Sequence, residues 1–157
     1  MAPEAALPVL ATAGFASMLA MRMCDAMLPA LGQSFATPAA QTSATVSGFA
    51  IAYGVMQLVA GPLGDRFGKP RVIALAALLC GLFALGAAAA PSLSALVAGR
   101  ALMGGAAAGI IPLTMAWVGD HVPWERRQVV LARLLAYTVG GMTAGAWAGG
   151  VMADTLG

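Results

Sequence analysis

Apolar positions gather along this chain into five long blocks, at residues 7–30, 43–63, 72–90, 95–118 and 129–152, with short polar breaks between them. Each block is close to the ~20 residues that a helix needs to cross the hydrocarbon core of a bilayer. The pattern predicts an all-α integral membrane protein with five transmembrane helices. The breaks differ in character. Residues 32–42 contain Pro38 and no charge, and Pro91 with Ser92 and Ser94 makes a short uncharged third connection. Residues 61–71 read Gly-Pro-Leu-Gly-Asp-Arg-Phe-Gly-Lys-Pro-Arg and hold three of the eight basic residues, which predicts a tight, positively charged turn. The fourth break, residues 120–128, clusters His121, Glu125, Arg126 and Arg127 around Pro123.

Composition supports lipid as the solvent. Hydrophobic residues make up 61% of the chain and charged ones 9%, with a mean hydropathy of +0.87, whereas about a quarter of a soluble domain is charged. The net charge of +2 says little, because the placement of Lys and Arg matters more than their sum. Arg66, Lys69, Arg71, Arg126 and Arg127 lie in the second and fourth connections, and the first and third have no basic residue. By the positive-inside rule both charged turns face the cytoplasm of an inner (plasma) membrane protein, the N-terminus is cytoplasmic, and the last residues end outside. Only Glu4 carries charge before the first block, so the basic region of a cleaved signal peptide is missing and that block reads as a retained helix. With no linker or low-complexity tract, residues 1–157 read as one transmembrane domain.

Ionisable residues inside the apolar blocks are costly and mark candidate function. Arg22 and Asp25 are three apart on one helix face, and Arg100 comes out at a similar depth on the fourth, inward-running helix. The three residues are expected to form one polar cluster in the outer half of the membrane. Asp25 would be a protonatable coupling group governed by both arginines, or else part of a static ion pair. Tyr53 and Gln57, four apart, share one face of the second helix and could bind substrate or a neighbouring helix. Trp117, Trp124 and Tyr137 read as interfacial anchors or packing residues in preference to ligand contacts, with the anchor role favoured, and Arg133 lies near enough to a helix end to snorkel. Gly141, Gly145 and Gly149 recur every four residues and form a stripe that lets a neighbouring backbone approach, as do Gly105 and Gly109. Pro112 is a candidate kink. Cys24 and Cys80 lack metal or redox spacing and read as spectator thiols. The lone His121 has no nucleophilic partner, so neither an enzyme nor a cofactor or metal site is expected. Five basic residues split between two turns make no nucleic-acid patch.

Three motifs then carry a family resemblance. Gly61, Leu63, Asp65, Arg66, Gly68 and Lys69 resemble the loop signature between the second and third helices of the major facilitator superfamily of transporters. Leu96, Arg100, Gly104 and Ala107 resemble its fourth-helix motif, and the stretch Gly141, Gly145, Gly149, Gly150 resembles its fifth-helix antiporter motif. Two positions depart: Ala146 stands where that antiporter motif has a proline, and Pro70 separates Lys69 from Arg71 in the loop. The resemblance implies two six-helix halves, of which this chain would be the first five helices, incomplete before helix six, with the C-terminal half as its missing partner. It implies that helices one and four are equivalent members of inverted repeats, that Arg100 faces the pathway, and that Asp65 holds a cytoplasmic gate against the opposing half, the alternative for Asp65 being a loop salt bridge with Arg66, Arg71 or Arg127. The activity implied is proton-coupled efflux of small organic molecules by alternating access. Proton-coupled metabolite uptake and a non-transporting membrane fragment are the alternatives.

Overall fold

The computed structural model describes residues 3–156, and among them every regular element is an α-helix. In chain order these are α1 (Pro3–Ser34), the single turn α2 (Ala39–Thr42), α3 (Ala44–Phe67), α4 (Lys69–Ala88), α5 (Leu93–Ala107), α6 (Ile110–His121) and α7 (Trp124–Leu156). They supply five segments long and apolar enough to cross a membrane: Ala6–Ser34, Ala39–Phe67, Lys69–Ala88, Leu93–His121 and Trp124–Thr155.

The helices run further than the apolar blocks. Asp65 and Arg66 belong to the last turn of α3, and Lys69 and Arg71 to the first turn of α4, so the charged turn expected over 61–71 shrinks to Gly68. That residue has φ +91° and ψ 124°, a backbone that a side chain disfavours. Pro70 falls in the first turn of α4, where its missing N–H has no helical partner to lose. The interruption of the basic pair therefore costs no hydrogen bond. Likewise Asp120 and His121 end α6, and only Val122 and Pro123 separate it from α7.

The fourth crossing is broken between α5 and α6 at Ala108 and Gly109. Pro112 has no N–H to donate to the Ala108 carbonyl and its ring crowds that oxygen, which accounts for the position of the break. Ser92 caps α5 by accepting from the Ala95 N–H at 3.3 Å.

The fourth crossing is also the centre of the packing. Its most apolar window is 56% buried, against 11% for the crossing that contains α3. Phe49, Met103, Ala107, Ile110, Leu113, Trp117 and Val118 belong to one apolar core around α5 and α6. Trp117 is only 3% exposed and is thus a core residue, contrary to the anchor reading, whereas Trp124 is 77% exposed and Tyr137 half exposed. α5 packs on α3 and α4, and α1 packs along most of α7. In that last pair the glycine stripe closes the gap: a Cβ on Gly141, Gly145 or Gly149 would meet the backbone of Phe15, Leu19 or Met23 respectively. α7 itself is continuous through Ala146, the position where the motif's proline is replaced.

Candidate functional site

Of the six acidic residues in the chain, Asp25 alone lies away from the first or last turn of its helix. Arg22, one turn earlier on α1, donates to its carboxylate at 2.8 Å, with the Arg22 side chain 50% exposed and that of Asp25 31% exposed. This pair is accessible rather than sealed in the core.

Arg100 takes a different environment. It is 2% exposed and donates from one guanidinium to three backbone carbonyls, Ala20 at 2.6 Å, Met21 at 3.2 Å and Thr45 at 3.5 Å. Its planar head also lies 4.4 Å from the centre of the Phe49 ring. The expected cluster of Arg22, Asp25 and Arg100 therefore divides into an accessible ion pair and a buried clamp that ties α5 to α1 and α3. The physical reason is that helix carbonyls are strong acceptors and one planar fork can engage several of them. Thr45 and the carbonyls at Ala20 and Met21 were not legible from sequence, because a backbone acceptor has no residue signature.

Arg100 forms part of the wall of a cavity of about 530 Å³ between α1, α4 and α5 that is otherwise mostly apolar, lined among others by Ala20, Met27, Ala84, Leu96 and Met103. Cys24 and Cys80 also line it as free thiols. Asp25, Tyr53 and Gln57 do not. Tyr53 is half-buried and stacks on Phe49 at 6.0 Å, and Gln57 is exposed one turn further along α3.

At the basic ends of the helices, Lys69 sits between two carboxylates, Asp120 at 2.6 Å and Asp65 at 3.3 Å. One ammonium thereby joins the end of α3, the start of α4 and the end of α6. Asp65 stays largely exposed, with its side chain at 73%, and Gly61 has open space around it. Arg66 lies over Phe67, and Arg71 is exposed at the start of α4. Arg127 donates to the carbonyls of Gly119 at 2.7 Å and Val122 at 3.3 Å, which covers the C-terminal end of α6. In the glycine motif, Gly141, Gly145 and Gly149 face α1, and Gly150 has open space beside it. Among the described residues no group of three or more His, Cys, Asp or Glu side chains could hold a metal ion.

The sequence profile of the Major Facilitator Superfamily matches residues 10–157. The chain belongs to this superfamily. Its members are transporters. Among curated relatives it is 31% identical over 111 residues to an MFS-type transporter of Mycobacterium tuberculosis, covering 71% of this chain and 19% of that protein. It is 32% identical over 113 residues to the puromycin resistance protein of Streptomyces alboniger, covering 71% of this chain and 22% of the relative. It is 36% identical over 100 residues to the methyl viologen resistance protein of Salmonella typhimurium, covering 63% and 20% respectively. The match therefore spans about a fifth of the length of these relatives.

Proposed function

We propose that this chain forms the N-terminal membrane part of a proton-coupled exporter of small organic molecules, with Asp25 as the group that carries the proton. The observation that carries the reading is the placement of Asp25. It is the one acid set well inside a membrane-crossing helix, and it is held by a partially exposed arginine instead of being locked into the core. An ionisable group at that depth is retained at a cost and so indicates a role. Resistance proteins among the relatives favour export. In this reading the basic ends of the helices face the cytoplasm, Lys69 and its two carboxylates brace the cytoplasmic junction, and a second half closes against the exposed Asp65 carboxylate. Arg100 acts as a structural clamp on the wall of the pathway domain, and Tyr53 and Gln57 lie on a face left for substrate or for that second half.

The test is efflux from energised inverted vesicles carrying the complete reading frame, with a panel of aromatic dyes, for the wild type and Asp25→Asn. Efflux that disappears in Asp25→Asn while the protein still inserts supports both transport and the coupling role. Efflux unchanged by the substitution removes the coupling role, and uptake in place of efflux removes the exporter reading.

A further inference from the structure

A second groove opens between the start of α1 and the basic start of α7, enclosing about 400 Å³, apart from the groups assigned so far. Leu7, Pro8 and Ala11 of α1 line it, together with Val130, Arg133 and Tyr137 of α7. Its position around α1 is informative. From Ala11 to Arg22 is eleven residues, which at ~3.6 residues per turn is about three turns, so the two lie within about 20° of each other. Ala11 and Asp25 are fourteen residues apart, within about 40° by the same repeat. The groove thus lies on the same face of α1 as the Arg22–Asp25 pair. The larger apolar cavity reaches α1 through Ala20 and Cys24, which lie about 140–180° away from Ala11 around the helix. The two cavities occupy different sides of α1.

Depth matters as well. α7 has 33 residues, about 50 Å at ~1.5 Å per residue, and exceeds a ~30 Å hydrocarbon core by about 10 Å at each end when centred. Arg133 is nine residues beyond the start of α7, about 14 Å along it, and so enters the apolar zone. Tyr137 follows one turn deeper on the same face and is half exposed.

We propose that Arg133 and Tyr137 form a substrate-recognition subsite at the basic mouth of the pathway, selecting aromatic molecules that carry a carboxylate or phenolate oxygen. The proposal rests on the proposed export function and takes the Arg22–Asp25 face of α1 as the side that lines the pathway. The guanidinium presents a planar fork of donors that matches a carboxylate. The tyrosine ring offers a flat apolar face for a substrate ring, and Leu7, Pro8, Ala11 and Val130 complete the apolar walls.

The experiment is fluorescence anisotropy with the purified full-length protein and two probes, carboxyfluorescein as an aromatic anion and ethidium as a planar cation. Arg133→Gln is expected to raise the Kd for carboxyfluorescein at least tenfold and leave that for ethidium within twofold. Arg133→Lys is expected to recover part of the loss, and Tyr137→Leu to weaken the anion by about threefold or more. A wild type that does not bind carboxyfluorescein, or an Arg133→Gln protein that weakens for both dyes alike, overturns the subsite. If the binding pattern holds but vesicles export neither dye, the subsite stands and the exporter reading fails.

Discussion

A methyl group added at Gly145 tests whether α1 and α7 are held backbone to backbone. In Gly145→Ala the new carbon would stand 2.9 Å from the Leu19 Cα and 3.0 Å from its carbonyl carbon, and closer still to the carbonyl oxygen. Carbon atoms in contact prefer about 3.5–4.0 Å, so the helices would have to part by about 0.5–1 Å. The obstacle is backbone and has no rotamer to change. Overpacking of this kind costs about 1–3 kcal/mol, and an immovable obstacle points to the upper end. Replacing a helical glycine by alanine returns about 0.5–1 kcal/mol of helix preference. The net expectation is a loss of about 2 kcal/mol.

Gly150, on the same helix, has nothing within 4 Å of the point where a Cβ would stand, so Gly150→Ala should instead gain about 0.5–1 kcal/mol. Gly64→Ala makes a useful contrast, because the nearest atoms belong to the Leu113 side chain, which can rotate away. Its cost should fall below that of Gly145→Ala. The assay is equilibrium unfolding in mixed micelles with increasing SDS, followed by circular dichroism. The double substitution Gly141→Ala, Gly145→Ala should cost less than the sum of the singles, since one separation of the helices relieves both contacts. Equal stabilities for Gly145→Ala and Gly150→Ala would refute the close seam and the reasoning built on it.

Two further predictions concern the charged groups. Arg100→Lys keeps the charge but gives up the fork that reaches Ala20, Met21 and Thr45, and should lose about 1.5–3 kcal/mol in the same unfolding assay, the worth of a hydrogen bond to a charged group; a lysine protein as stable as the wild type would show that the carbonyls are not gripped by that geometry. Lys69→Met removes the cation between Asp65 and Asp120 and leaves two carboxylates facing each other. Hydrogen exchange over residues 65–71 should then speed up, with the difference shrinking at high salt as the repulsion is screened, and unchanged exchange at low salt would count against the junction.

The five crossings were legible because bilayer thickness imposes a length that apolar runs of this size report directly. Their ends were not. Asp65, Arg66, Lys69 and Arg71 look like loop residues by polarity, yet all are helical, since a helix can continue past the lipid once its side chains meet water. Only the glycine at 68 marked where the chain had to turn. The partner of Lys69 was hidden for another reason: Asp120 lies 51 residues away, and nothing local ties the two. Pro112 did announce a disturbance in the fourth crossing, which takes the form of the break at Ala108 and Gly109. Trp117 shows the limit of residue-type rules, because a tryptophan next to a charged connection is buried here and stacks on His121 at 4.5 Å.

The way α1 is held bears on how Asp25 could carry a proton. On one side the glycine seam of α7 touches the backbone of Phe15, Leu19 and Met23, and on another Arg100 holds the carbonyls of Ala20 and Met21. Neither set of contacts uses the side chain of Asp25, whose hydrogen-bond partner among the described residues is Arg22. A helix fixed through its backbone can therefore accept a change of charge at residue 25 without losing its packing. In the proposed transport cycle, protonation of Asp25 would break one exposed pair and release Arg22. On that proposal the released guanidinium would be the element through which the proton is felt, and the response would begin with a side chain instead of a shift of α1.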